Sequence, residues 1–125
     1  LSIRRQRQMC IRDSPKGDGS GNPGYFFNAE FHKDLKHDKQ GILTMENAGA
    51  LASGSQFIIT MRPTPVLDNK NSIFGIVISG LETVNAIQQG ETILKIEIIK
   101  LGKKAKAFNP IEVFEKNGFS KMLRP

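Results

Sequence analysis

Cysteine occurs once in the 125 residues, at Cys10, so no disulfide can close within the chain, which suits a reducing, cytoplasmic setting. No apolar run comes near the ~20 residues that a membrane-spanning helix needs, and no membrane contact is expected. Residues 1–14 lack the apolar core of a secretory signal, although the true beginning of the protein is expected to lie upstream. Internal repeats, coiled-coil heptads and low-complexity tracts are also missing. What remains is 38% hydrophobic and 24% charged, a composition suited to one soluble globular domain at most.

Charge is present but unevenly placed. The net +6 is +3 in residues 1–14, where four arginines face Asp13, and +5 in residues 95–125, where eight basic residues face three glutamates; the middle is −2. A nucleic-acid surface would interleave basic side chains with aromatics on one face. Here the basic residues sit at the ends and read as solvated tails, so no nucleic-acid partner is expected.

Taken in order, residues 1–12 (LSIRRQRQMCIR) show neither strand alternation nor a helical stripe. The run from Arg4 to Asp13 resembles the conceptual translation of a sequencing adapter, and the segment is read as non-native or disordered; a basic tail or targeting arm are the other readings. Residues 15–24 hold four glycines and two prolines and form a loop. A phosphate cradle would need a helix to follow, and Tyr25-Phe26-Phe27 reads as extended chain instead. Residues 28–40 offer His32, His37 and three acids, yet the two histidines share neither a helix face nor a strand face. Lys33, Lys36 and Lys39 would repel a cation, so this stretch reads as a solvated surface and no metal is expected.

Strands are expected at residues 42–45, 56–61 and 73–78, each short, apolar and bounded by turn formers. The small residues between Asn47 and Ser55 read as a loop, residues 68–71 as a turn, and Gly75 as a point of close approach. Leu81, Val84 and Ile87 make the apolar face of a short helix ended by Gly90. Residues 92–101 alternate and read as a further strand, and Asn109-Pro110 has the form of an N-cap followed by proline at the first helical position. Ile111, Phe114 and Met122 would give that last helix a stripe, interrupted by Gly118.

The stretches Met45-Glu46-Asn47-Ala48-Gly49, Gly54-Ser55-Gln56-Phe57-Ile58-Ile59-Thr60, Thr64-Pro65-Val66-Leu67-Asp68-Asn69-Lys70 and Ile73-Phe74-Gly75-Ile76-Val77 follow one another in an order and spacing that resembles the cyclophilin family of peptidyl-prolyl isomerases. The resemblance reaches upstream through Asp18–Tyr25 and covers residues 13–102, about the last two thirds of such a domain. It implies a mostly β fold: an antiparallel barrel, incomplete at its N-terminus, with one short helix after the core strands. A basic tail at residues 103–125, carrying a C-terminal helix, would follow.

An Xaa-Pro bond crosses a barrier of ~18–20 kcal/mol because the amide must twist out of conjugation. Lowering it takes no nucleophile, metal or cofactor. It takes a site that holds the twisted amide better than the planar one: a pocket for the proline ring, an anchor for the flanking backbone, and a cation near the prolyl nitrogen. By resemblance, Asn47 pairs its backbone with substrate, Ala48 lines the groove, Gln56 hydrogen-bonds near the substrate carbonyl, and Leu67 walls the proline pocket. Ile58 stands where phenylalanine is usual, Glu46 where alanine is usual, Val66 where an aromatic residue is often found, and Asn71 where histidine is frequent. Read without the resemblance, Gln56 is a sheet-edge polar residue and Asn47 a turn residue. No arginine matches the position of the family's catalytic cation: Arg4, Arg5, Arg7 and Arg12 all lie in the unmatched segment. No catalytic residue is therefore assigned, and residues 1–125 alone are expected to fold poorly and to be inactive. Three functions stay open: a monomeric isomerase, in the intact parent protein, acting on proline-containing polypeptides to assist folding; a binding module for such segments with little turnover; and a basic accessory domain acting through its tails.

Overall fold

The computed structural model describes the backbone of residues 4–6, 10–12, 26–48 and 51–116, and the side chains of residues 27–46 and 55–116. It divides into two compact units, Leu1–Ile93 and Leu94–Pro125.

The first unit is built on antiparallel strands. β1 (Arg4–Gln6) and β2 (Cys10–Arg12) pair as a hairpin, with Arg5 opposite Ile11, although their sequence shows no alternation. A separate four-stranded sheet joins β3 (Phe26–Asn28), β4 (Ile42–Ala48), β5 (Leu51–Ile59) and β6 (Ile73–Ile76) in the order β3-β5-β4-β6. Among the described residues this sheet does not close on itself, so the architecture is that of an incomplete barrel.

The expected loop between Asn47 and Ser55 is mostly strand. β4 runs on to Ala48, and β5 begins at Leu51, with Asn47 opposite Ala52 and Ala48 opposite Leu51. Ala52 and Ser53 have little strand preference of their own, but β5 is flanked on both sides, by β4 and by β3 (Phe27 opposite Ala52). Paired backbone on two edges outweighs the propensity of small side chains.

Among the described residues the interior is small and closed largely by hydroxyl groups. Ile42, Ile58 and Val84 are the buried apolar residues there, and Thr44, Thr60 and Thr64 are buried as well. Thr60 Oγ1 accepts from the Ile42 amide (2.9 Å) and donates to the Lys39 carbonyl (3.0 Å). Thr44 Oγ1 donates to the Ser72 carbonyl at 3.0 Å. Helix α1 (Leu81–Ala86) turns Val84 into a cluster with Ile59, Met61, Val77, Ile87 and Ile93. It stops at Ile87, short of Gly90, where the Ile87 amide bonds back to the Thr83 carbonyl.

Of the glycines here, Gly41 is the constrained one. Its φ is +81°, and a Cβ there would lie 2.8 Å from Leu81 Cδ2 and 3.2 Å from Val77 Cβ. Gly75, expected to mark a close approach, would place a Cβ 3.6 Å from Leu43, an ordinary contact.

In the second unit, helix α2 (Gly102–Ala107) and helix α3 (Pro110–Lys116) follow an extended run. Asn109 caps α3 as expected, its Oδ1 accepting from the amides of Ile111 (3.1 Å) and Glu112 (3.4 Å). Met122 and Gly118 lie outside the described residues. The strand expected at residues 92–101 does not form: Ile93–Leu101 carries no strand, and Leu94, Ile98 and Leu101 are exposed. Alternation sets which side chains share a face, but a strand also needs a neighbour for its amides and carbonyls, and this unit holds none among its described residues.

Gly41→Ala and Gly90→Ala separate the two demands on a glycine. Gly90 also has positive φ (+94°) but open space around it, so alanine there should cost only the left-handed strain, about 1–2 kcal/mol. At Gly41 overpacking should add about 1–3 kcal/mol. Urea unfolding should give a clearly lower midpoint for Gly41→Ala; equal midpoints would show that Leu81 and Val77 yield without cost.

Candidate functional site

The residues singled out from sequence converge on the far end of β4 and the turn that faces it. β6 accompanies β4 only as far as Thr44, which lies opposite Ile73. One more bond, Met45 amide to Ser72 carbonyl (2.9 Å), closes that ladder. Between Met45 and Asn47 the register with β5 shifts, placing Glu46 at an irregularity of the kind that re-aims a side chain. Beyond it Asn47 and Ala48 pair with β5, and no described strand lies along their other edge.

The facing turn is compact. Pro65–Leu67 is a single 3-10 turn; the Leu67 carbonyl accepts from the amides of Lys70 and Asn71, both at 3.1 Å. Asn69 takes φ +56°, a conformation that asparagine tolerates better than most residues. Leu67 is half-buried and Val66 exposed. Asn71 joins turn to strand, its Nδ2 donating to the Met45 carbonyl at 2.8 Å. Glu46, Asn71 and Leu67 are thereby drawn to one end of the sheet. Gln56 and Ile58 share a face of β5, but their exposure differs: Gln56 is half-buried, whereas Ile58, opposite Thr44, is 2% exposed and offers a ligand almost no surface. The side chains of Asn47, Ala48, Arg4, Arg5, Arg7 and Arg12 lie outside the described residues. Arg62, the one arginine with a described side chain, is exposed on the loop after β5.

His37 corrects the reading of residues 28–40 as a solvated surface. Its neighbours Lys36 and Asp38 are exposed, but His37 itself is 0% exposed. Its amide and its Nδ1 both reach Asp68 Oδ1, each at 2.8 Å, and its carbonyl accepts from the Thr64 amide at 2.7 Å. A carboxylate only accepts, so Nδ1 carries a proton; Nε2 is buried and has no hydrogen-bond partner among the described residues. The hydrogen bond from the His37 amide, then that from its ring, hold the Asp68 carboxyl below the usual carboxylate range against the opposing effect of burial. Asp68 reads in sequence as a turn former, and its partner lies 31 positions away, so no local signal marks the pair. His32, by contrast, is exposed, 3.8 Å from Asp34. Among the described residues no three acidic, histidine or cysteine side chains gather as metal ligands.

A cavity of about 420 Å³ opens elsewhere, between residues 34–39 and β6, lined by Leu35, Ile42, Ile73 and Phe74 among others. Ile73–Ile76, from the last of the stretches that carry the resemblance, line it, but none of the residues assigned to substrate by the resemblance does. The β4 end is the better candidate, because its polar atoms are held in a fixed arrangement by hydrogen bonds from three segments.

Comparison with known proteins gives a consistent picture. The family model described as cyclophilin type peptidyl-prolyl cis-trans isomerase/CLD matches residues 5–103. A peptidyl-prolyl cis-trans isomerase of Arabidopsis thaliana is 47% identical over 87 residues, 67% of this chain and 14% of that protein. One of Dictyostelium discoideum is 46% identical over 100 residues, 74% of this chain and 64% of that protein. The chain thus spans less than two thirds of either relative. A crystal structure of a Cryptosporidium parvum cyclophilin type peptidyl-prolyl cis-trans isomerase, determined in the presence of the dipeptide Ala-Pro, superposes with a TM-score of 0.62 at 35% identity, covering 69% of this chain and 58% of that one.

The Asp68 arrangement sets a pH dependence. Because the folded-state pKa is depressed, its contribution to stability is present above the ordinary carboxylate value and is lost as pH falls through the folded value. Asp68→Asn keeps an oxygen for both His37 donors but cannot titrate. Its urea midpoint should fall less than the wild type's between neutral and strongly acid pH; parallel falls would assign the acid sensitivity to other groups.

Proposed function

The chain belongs to the cyclophilin type peptidyl-prolyl cis-trans isomerase family, and from that premise we propose that the end of β4 and the facing turn bind proline-containing polypeptides, and that the protein accelerates rotation about their Xaa-Pro bonds. The observation that carries this reading is the early end of the β6 ladder at Thr44. An extended peptide can lie against Asn47 and Ala48 as a further strand, its amides and carbonyls meeting a strand edge that no described segment covers. Leu67 then supplies an apolar wall beside that edge, and Gln56 a side-chain amide with both donor and acceptor. The Ala-Pro dipeptide in the Cryptosporidium structure supports the ligand class.

Catalysis asks for tighter binding of the twisted amide than of either planar form. The strand edge fixes the chain on one side of the proline, and the pocket wall holds the ring on the other. Rotation then proceeds between two fixed parts, with no covalent step. A cation near the prolyl nitrogen would favour the pyramidal nitrogen of the twisted state. Arg62, the one arginine with a described side chain, is exposed on the loop after β5. The burial of Ile58, which leaves a ligand almost no surface there, favours a second reading, a module that binds proline-containing segments with little turnover.

Titration of an Ala-Pro-containing peptide into isotope-labelled chain should shift the amides of Asn47, Ala48, Gln56, Leu67 and Asn71. Gln56→Ala should weaken binding by roughly five- to tenfold, the worth of about one hydrogen bond. Exchange spectroscopy on the same samples separates the readings: faster cis–trans interconversion marks an isomerase, and binding at the uncatalysed rate marks the binding module. Shifts confined to the cavity beside β6 would overturn the placement of the site.

A further inference from the structure

We propose that His37 is a positioning residue for the peptide groove, acting through Asp68 to set where Leu67 stands relative to the β4 edge. The inference rests on the groove reading just given. The segment from Thr64 to Asn71 is stiffened from within: the Leu67 amide bonds to the Thr64 carbonyl (3.1 Å), the Asp68 amide to Pro65 (3.0 Å), and the amides of Lys70 and Asn71 to Leu67 (both 3.1 Å). A segment bonded to itself in this way moves as one piece, so its place is decided by its anchors. One anchor is at its end, where Asn71 Nδ2 holds the Met45 carbonyl and the Ser72 carbonyl receives the Met45 amide and the Thr44 hydroxyl. The other is His37.

Three polar groups of His37, its amide, its carbonyl and Nδ1, all end on Thr64 and Asp68, the residues that bracket Pro65–Leu67. The ring is fully buried, and Asp68 takes both His37 donors on the same oxygen, Oδ1. The ring is thus placed to hold the turn, and its other nitrogen has no hydrogen-bond partner among the described residues. Without the ring donor, the turn keeps its anchor at Asn71 and Ser72 and the two main-chain bonds of residue 37, loses one of its three ties to that residue, and gains freedom to swing. That swing carries Leu67 towards or away from the edge at Asn47.

Two substitutions separate positioning from mere support. His37→Phe keeps a flat ring of similar volume, removes the Nδ1 donor and also removes the unpartnered Nε2. His37→Asn is smaller but carries an amide nitrogen at nearly the position of Nδ1. An Ala-Pro-containing peptide is the probe, and its affinity is measured for the folded fraction, with urea midpoints recorded alongside. His37→Phe should bind about tenfold more weakly, and His37→Asn should recover to within about threefold of wild type even if its midpoint is the lower of the two. A purely structural role would lower midpoints and leave folded-state affinity unchanged. Wild-type affinity in His37→Phe, or His37→Asn no better than His37→Phe, overturns the proposal. If the unmodified chain binds no such peptide, the groove reading itself fails. The positioning claim is then decided by amide exchange: faster exchange at Thr64, Leu67 and Asp68 in His37→Phe, with β4 and β5 unchanged, upholds the anchor, and unchanged exchange at those amides removes it.

Discussion

Backbone groups shut away from water must find partners inside the protein, and the start of β4 is where this structure meets that demand most densely. Four bonds pass through Thr60. Its amide meets the Ile42 carbonyl and its carbonyl the Gly41 amide, while its hydroxyl receives the Ile42 amide and donates to Lys39. A valine of the same shape would fill the space but leave the buried Ile42 amide without its hydroxyl partner, at a cost of roughly 1–3 kcal/mol, and release the partly buried Lys39 carbonyl. The Gly41 carbonyl extends the network to the Val77 amide at 2.7 Å, joining the end of β6 and the approach to α1. The sheet, the helix and residues 37–41 are therefore tied together by polar atoms in a core with few apolar residues to spend.

The same segment leads directly to the proposed groove. Four residues before Gly41, the histidine bonds to the turn; at the other end of β4, Asn71 and Ser72 bond to Met45. β4 is thus the common reference for both anchors of the turn. The family's chemistry needs little beyond such a frame. Rotation about an amide makes and breaks no covalent bond, so a site succeeds by holding two parts of a peptide at a set angle and separation. A groove made of a strand edge and a rigid turn supplies that kind of control, while the stabilising cation is a separate requirement.

What could be read from the sequence follows the range of the interactions. The strands at residues 42–45, 56–61 and 73–78, the turn at residues 68–71, the helix around Val84 and the cap at Asn109 are all encoded within a few neighbours, and each appears, although β5 ends at Ile59 and β6 at Ile76, two residues short of the expected bounds. The misplaced readings concern partners distant in sequence. Ala48 and Leu51 are strand because β5 is flanked on both sides, which no local count of small residues reveals. Residues 94–101 continue the alternation of a strand without a neighbour among the described residues of their unit to pair with. Gly75 looks like the tight position and Gly41 is, because Leu81 lies 40 residues further on. His37 was legible as a surface histidine among lysines, and only the fold brings Asp68 to it. For the proposed site, the order of the motifs points to the β4 end and the turn, but neither the register shift at Glu46 nor the burial of Ile58 is visible in them.

The manner in which the Pro65–Leu67 turn is fastened has a bearing on how such a groove can change over generations. Its moorings are main-chain atoms and the side chains of residues outside it or at its margins: Thr64 amide, Asp68 carboxylate, Leu67 carbonyl, Asn71 amide. The side chains of Val66 and Leu67 take no part in any of these bonds. Mutation can therefore exchange the wall of the pocket while the frame keeps its shape, so new ligand preferences lie one substitution away without a detour through an unstable intermediate. Drift should be rapid at Val66 and slow at His37 and Asp68, a separation of variable surface from invariant wiring within a few residues of chain.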